Sequence, residues 1–509
     1  MLRVMRIVHR LLEIQSAFLE ALVPSLAAFD ASPVIGVKFC PHALQPFDQY
    51  LLFNHVLVER IAVGVLLPSE EMQLLAVRIL SILASSLHFN VMDMQVSRGA
   101  RRLNRLAVII QNSVESIRIS DGFTNLLLTD GSDLDIAGDS MEVEGRVGAG
   151  APDPEEGDAG ISLAQTIRIE ILDILLVNTQ RGRPGPNIAH LLLGFDVTSA
   201  SEMSLQDPHA AEGRRSCFHA IADMVNIGVP RLDIPRNKRR QTLKRTPMYA
   251  RSPILAEKCY KLLHQLCKNE LTTQPTARYL RTREDFFVRH LAALPIRTPV
   301  VENSSAGQVV YADASRVVST CAALTSFLRL RSWVLESVAL ELHMLAEEKQ
   351  NQRAGQLLDV LFGGVNLDDD GPIDHLDEEF FGTSLTSSQS LMRVLEIFQS
   401  YDLDWEDGIT TPEDIQLLCY ANLDYTSCLR VDDHGCEIID QDALVELLTL
   451  KRRTLHEQGV IYAAEERAQM AAETKYLLES CVKENHRREI EHAKGMGFEA
   501  WRRVLNIAL

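Results

Sequence analysis

An all-α fold is predicted, an irregular superhelical α-solenoid of stacked helix pairs (HEAT/armadillo-like) with disordered acidic insertions. Three observations predict it. Apolar residues recur at helical spacing wherever the chain is not plainly a loop, and no strict two-residue alternation is bounded by hairpin turns. The composition is 46% hydrophobic but only 6% aromatic, with Leu, Ala, Ile and Val supplying most of the apolar weight. Leu and Ala favour helix. At 509 residues the chain exceeds one compact core, whereas stacked helix pairs extend a core along one axis without that limit.

The elements follow in order. Arg3, Arg6 and Arg10 share one helical face, but Glu13 and Glu20 continue the same pattern, so this is a first helix rather than a targeting peptide. Residues 1–129 are expected to be helical. Residues 130–160 (DGSDLDIAGDSMEVEGRVGAGAPDPEEGDAG) are acidic, Gly-rich and poor in large apolar side chains, which predicts disorder. Residues 161–230 return to helix, with Leu163, Ile167, Ile171, Ile174 and Leu175 in one stripe from Ile161 to Val177. Residues 231–253 form a basic, Pro-containing loop.

Residues 254–362 are again helical. Leu255, Cys259, Leu262, Leu263 and Leu266 repeat the stripe over Ile254 to Cys267, and Val317 to Leu345 is one long helix or two consecutive ones. Residues 363–388 are acidic and then Ser/Thr-rich, a loop. Residues 389–509 carry helical patterns over Leu391–Phe398, Ala443–Leu450 and Ala463–His492. No fixed repeat length emerges, which disfavours a regular ankyrin or tetratricopeptide array.

Charge and cysteine usage exclude whole classes of function. The net charge of −18 repels phosphate backbones, so general nucleic-acid binding is disfavoured. The nine cysteines are scattered without a C-x-x-C pair, several of them in apolar stripes. That predicts a reducing compartment and no disulfide framework. The longest run free of Asp, Glu, Lys and Arg is 14 residues, Ile79 to Met92, too short for a membrane span of about 20.

Each candidate site has a plainer reading beside it. NLDDDGPIDHLD, Asn366 to Asp377, places oxygen-bearing residues at positions 1, 3, 5, 9 and 12 of a calcium loop, with Gly371 at position 6. Asn at position 1, Asp rather than Glu at position 12, and Pro372 after the glycine all depart from that loop, so a solvated acidic loop is the default and weak calcium binding the alternative. RNKRRQTLKR, Arg236 to Arg245, holds six basic residues in ten. It suits an import signal, a nucleic-acid patch or an exposed loop, and lacks the interleaved aromatics of a single-strand binder.

Cys428, His434 and Cys436 do not have zinc spacing, and His486 and His492 are six apart rather than four. No nucleophile elbow, Walker loop or dinucleotide-binding glycine pattern is present. No catalytic, cofactor-binding or metal-ligating residue is assigned. PTARYLRTREDFFVRHLAALP, Pro275 to Pro295, is rich in charge, but Thr282 and Asp285 suggest a capping box starting a helix at Arg283. Phe286, Phe287, Leu291 and Leu294 then form a packing stripe, with Asp285 and Arg289 on a solvated face and His290 packed beside the stripe.

Several long strings carry a resemblance: ILDILLVNTQ (171–180), NIAHLLLGFDV (187–197), the stretch from Leu255 to Pro295, and LDWEDG, LLCYANLDYTSCLR and ESCVKENHRREI from Leu403, Leu417 and Glu479. Together they resemble the large inner-ring scaffold nucleoporins of the nuclear pore complex, the 192/205-kDa class, particularly those of fungi. The similarity runs nearly the whole chain except the acidic insertion.

Members of that family are several times longer, so the resemblance implies an internal portion or a truncated gene model. AWRRVLNIAL ending in mid-stripe agrees with this expectation, as would apolar faces exposed at both ends and poor solubility. The resemblance further implies an architectural role in the inner ring, supporting nucleocytoplasmic transport at the nuclear envelope. Expected partners are other nucleoporins, including linker nucleoporins binding through short segments, with no cofactor, no small-molecule substrate and no direct nucleic acid. Only two Phe-Gly dipeptides occur, at Phe362 and Phe381, so this is not a barrier-forming repeat protein. A soluble HEAT-type nuclear transport receptor, or another helical-repeat adaptor, is the alternative.

Overall fold

The computed structural model describes residues 1–22, 45–90, 104–128, 162–183, 185–197, 203–210, 213–231, 246–301, 306–362, 397–408, 417–421, 423–458 and 464–508. The acidic insertion at 130–160, the basic run Arg236 to Arg245 and the calcium-like loop Asn366 to Asp377 lie outside these residues, as does most of Leu391–Phe398. The described chain forms two compact units, one of Met1–Arg251 with Lys258–Arg289 and one of Ser252–Glu257 with His290–Leu509.

The first unit is helical throughout its regular elements. At its centre Glu70–Ser85 buries Ala76, Val77, Ile79, Leu80, Leu83 and Ala84 without residual exposure. Glu70 and Glu71 occupy its first turn, where carboxylates favour the positive end of the helix dipole. It packs between Leu2–Ala17 and Leu163–Thr179, and the latter contact carries an ion pair from Arg78 to Glu170 at 2.8 Å. Leu163–Thr179 realises the stripe expected over Ile161 to Val177, with Ile171, Leu172 and Leu175 fully buried.

Two buried histidines close helix starts in this unit. At Asn187 and at Ser216 the side chain three residues later belongs to a capping box, and it is histidine in each case. The backbone N–H of Asn187 donates to His190 Nδ1 at 3.3 Å, and that of Ser216 to His219 Nδ1 at 3.1 Å. This satisfies a donor at a helix N-terminus, as Glu or Gln does in the common form of the box.

His219 is 3% exposed, with the rings of Phe218 and Tyr279 packed edge-on against it. Burial is the main cause that pushes its pKa down from 6.5 to about 4, and the Arg215 charge adds to it, against opposing contributions from the Gln206 backbone and Asp207. A histidine depressed in the folded state binds its proton more readily when unfolded. The stabilisation is therefore complete above pH 6.5 and is lost as pH falls toward 4, on the order of 3 kcal/mol over that window. Urea denaturation from pH 7 to pH 4 should show that slope. His219→Gln, which keeps the box without titrating, should flatten it.

The second unit is dominated by two helices, Cys321–Glu347 with 27 residues and Ala464–Ala508 with 45, packed along each other. The first resolves the choice over Val317 to Leu345. It is one helix, but it begins only at Cys321, capped by the Thr320 hydroxyl accepting from Ala323 N. The residues before it belong to a strand. Ala443–Leu450 falls inside Gln441–Glu457, whose start is capped by Asp440. Met470, Leu477 and Cys481 of the long helix form one apolar cluster with Tyr420, Cys428, Leu444 and Leu448.

The absence of strands is corrected in this unit, although the all-α class holds. Gly307–Tyr311 (β1), Arg316–Ser319 (β2) and Leu403–Glu406 (β3) make an antiparallel sheet in the order β2-β1-β3. Gly307 pairs with Ser319, and Val309 with both Val317 and Trp405. Leu429–Val431 (β4) and Glu437–Ile439 (β5) form a separate hairpin. The alternation in β1 spans five residues, too short to register against helical patterns. Its turn uses Ala314 at φ 63° where glycine or asparagine would announce a hairpin. Asp313 Oδ1 accepts from Ser315 N at 2.9 Å, which holds that turn.

Tyr401 links the sheet to the long helix and is 1% exposed. A Cβ at Gly497 would lie 2.2 to 2.6 Å from three atoms of the Tyr401 side chain. A glycine inside a helix costs about 1 kcal/mol relative to alanine, and here it makes room for an aromatic ring.

Candidate functional site

The segment Pro275 to Pro295 is built differently from its reading. Thr273–Tyr279 is followed by a π-turn, Leu280–Glu284, and Asp285 sits in the left-handed region at φ 50°. The capping box does not form, because the Thr282 hydroxyl donates to Arg278 O at 2.7 Å, and the next helix is Phe286–Ala292. Phe286, Phe287, Leu291 and Leu294 are buried as the spacing demands, and His290 is packed at 3% exposure.

Arg289 does not lie on a solvated face. It is 6% exposed and donates from Nε to Val229 O at 2.9 Å and from Nη2 to Asn226 O at 3.2 Å. Its nearest carboxylate is Glu284, at 4.0 Å, rather than Asp285 at helical spacing. Burial lowers its pKa, and Glu284 opposes this. Arg283 reaches the other way, to Asp207 at 2.5 Å. Arg289 therefore clamps a loop through its carbonyls and Arg283 holds another through a carboxylate, partners that a one-dimensional reading does not show.

Histidine, acid and thiol come closest to a reactive grouping in the second unit. His486 Nδ1 lies 2.7 Å from Asp407 Oδ1, which also accepts from Trp405 Nε1 at 2.7 Å. Cys321 Sγ lies 4.0 Å from the backbone oxygen of His486 and 4.0 Å from Glu489 Oε2. A cysteine nucleophile needs the imidazole ring as its base, and here it meets only the backbone of that histidine. Burial, reinforced by Glu489 and Asp407, pushes the thiol pKa far up, so the reactive thiolate is suppressed. The grouping ties β3 to the long helix.

The remaining candidates resolve similarly. Cys428 and Cys436 are buried at 2% and 4% exposure. His434 lies 3.6 Å from Glu257. His492 has its pKa lowered, by burial first and then by Arg329. Among the described residues no group of three or more His, Cys, Asp or Glu side chains is placed to hold a metal ion. The eight described cysteines are all free thiols, and seven of them are buried.

Sequence reasoning missed Glu473. It has no residual exposure, yet its carboxylate accepts from three successive backbone N–H groups, Leu418 at 2.9 Å, Cys419 at 3.0 Å and Tyr420 at 3.1 Å. Gln469 Nε2 adds a fourth bond at 3.0 Å. Successive amides pointing inward form an anion-binding nest, and the anion is supplied by the chain itself. In the first unit a groove of 590 Å³ is lined by Ser116, Ile117, Gly194, Phe195, Arg214 and Arg215 among others. Arg215 within it is already paired with Asp223.

With chemistry thus directed inward, similarity to known proteins decides the class. Residues 1–509 match the family described as nuclear pore complex scaffold, nucleoporins 186/192/205. The chain belongs to this family. It is 27% identical over 362 residues to the human nuclear pore complex protein Nup205, covering 69% of this chain and 16% of that protein. It is 25% identical over 333 residues to NUP205 of Arabidopsis thaliana, covering 63% and 16%. It is 22% identical over 237 residues to nucleoporin nup186 of Schizosaccharomyces pombe, covering 46% and 12%. The chain spans about a sixth of the length of the Nup205 relatives. Membership in the nucleoporin 186/192/205 family agrees with the resemblance carried by the strings from Ile171, Leu255, Leu417 and Glu479.

Proposed function

We propose that this chain is a structural element of the nuclear pore complex, holding other nucleoporins at the nuclear envelope and acting through its surfaces rather than through catalysis. The observation that carries this reading is the match of the whole chain to a family of pore scaffolds. Two features support it. The nucleophile, acid and histidine groups that lie near one another are engaged in internal contacts, as at Asp407, His486 and Cys321. Among the described residues no helix is long and apolar enough to cross a membrane, which suits attachment by protein contacts. Partners in this reading include linker nucleoporins that lay short segments into grooves between helices, the recognition mode that stacked helices offer.

Expression of the tagged chain in cells tests this. A fluorescent rim at the nuclear envelope and co-purification of other nucleoporins are the expected results. A diffuse nucleoplasmic signal, with capture of a small GTPase and cargo instead, would replace the scaffold by a soluble transport receptor.

A further inference from the structure

The nest around Glu473 is shaped for a carboxylate rather than for anions in general. Oε1 accepts from Leu418 N at 2.9 Å and Cys419 N at 3.2 Å, and Oε2 accepts from Cys419 N at 3.0 Å and Tyr420 N at 3.1 Å. The middle amide is shared between the two oxygens, and the outer amides take one each. Gln469 Nε2 completes the set on Oε1 at 3.0 Å. A flat ligand with two oxygens matches this spacing, whereas a halide offers a single point to amides that converge on two. Among the described residues every donor to Glu473 is a neutral amide, so selectivity comes from geometry rather than from a counter-charge.

More than Glu473 holds these amides in place. Tyr420 is 1% exposed within the apolar cluster, and its hydroxyl lies 3.2 Å from Thr474 Oγ1 of the long helix. Leu417 and Cys419 pack against the same cluster. We infer that Leu418–Tyr420 is a preorganised binding site for a carboxylate, kept closed by the chain's own Glu473 as an autoinhibitory contact. The inference goes beyond the scaffold reading and does not depend on it. Leu418 is 65% exposed, so the site lies just beneath the surface and a small acid reaches it once Glu473 is shortened. Glu473→Ala removes one methylene and the carboxylate, which are the heavy atoms of acetate. Acetate therefore fills the space left behind, and formate, one carbon shorter, fills less of it.

The test is acetate rescue of the purified full chain at neutral pH. The thermal midpoint of Glu473→Ala should be about 3–5 °C higher in about 0.2 M acetate than in chloride of equal ionic strength, with formate between the two. The unaltered chain should show no such difference, because its site is filled. Hydrogen exchange at Leu418, Cys419 and Tyr420 of the variant should slow in acetate and not in chloride. Glu473→Gln, whose amide still occupies the site, should ignore acetate. If Glu473→Ala fails to fold in chloride, recovery of its helical signal on dilution from urea into acetate reads the same contrast. Equal behaviour in acetate and chloride, the same rescue of the glutamine variant, or slowed exchange spread evenly over the second unit would overturn the inference. None of these readouts involves other nucleoporins, so their failure leaves the scaffold reading untouched.

Discussion

Glu473→Ala is expected to destabilise the second unit by about 3–5 kcal/mol, because it strands buried backbone N–H groups and removes the charge that satisfied them. Chemical denaturation should report the loss, and hydrogen exchange at Leu418, Cys419 and Tyr420 should accelerate ahead of the rest of the unit. Glu473→Gln keeps one acceptor oxygen and should fall between the two. Burial alone would raise the Glu473 pKa, but bonds from Leu418, Gln469, Cys419 and Tyr420 outweigh it and leave the pKa below 4.5. A carboxylate depressed in the folded state stabilises above its unfolded pKa. This contribution is therefore complete at neutral pH and is lost as pH falls below 4.5. A loss under 1 kcal/mol in Glu473→Ala would show that the amides find other partners.

Arg331→Ala should have a comparable effect for a different reason. Arg331 is fully buried, with its guanidinium 4.3 Å from the centroid of the Tyr401 ring. It donates from Nη2 to Ser400 Oγ at 2.7 Å and to Ile397 O at 3.2 Å. Truncation empties the space beneath Tyr401 and removes the stacked cation, a combined loss of about 3–4 kcal/mol. Arg331→Lys retains a charge but not the planar fork, and should recover less than half of it. Thermal unfolding of the three proteins would check the ranking. Full recovery by lysine would show that charge alone matters at this position.

The helices were legible because their information is local. The stripes over Leu163 to Leu175 and Leu255 to Leu266 state a period in a dozen residues, and burial followed it. Charged side chains inside the fold were not legible. Arg289 stands on a helix with an acid four residues before it, which spells a solvated face. What buries it is the carbonyl of Val229, 60 residues earlier. Glu473 and Arg331 pose the same problem, with backbone partners of Glu473 lying 53 to 55 residues away and hydrogen-bond partners of Arg331 lying 35 to 69 residues away. The histidine capping boxes were partly legible, since N-x-x-H at Asn187 and S-x-x-H at Ser216 carry the spacing of the familiar box with an unexpected last letter.

Function divides along the same line. The lack of a recognisable catalytic motif could be read directly from spacing, whereas the position of Cys321 Sγ beside the backbone oxygen of His486 could not. The family was carried by long strings whose residues are ordinary one by one. No single side chain in Pro275 to Pro295 announces a scaffold.

The 45-residue helix Ala464–Ala508 has a consequence for biosynthesis. Through Glu473, Asn485, His486 and Arg503 it supplies partners to Leu418, Ile439, Asp407 and Glu336. The last of these pairs is separated by 167 residues. While the ribosome is still translating this stretch, the 417–421 segment and the β4–β5 hairpin lack the hydrogen-bond partners that this helix supplies. The second unit must therefore wait until this 45-residue helix emerges before it can close, and until then Cys321–Glu347 presents its apolar side to the cytosol, where chaperones recognise such surfaces.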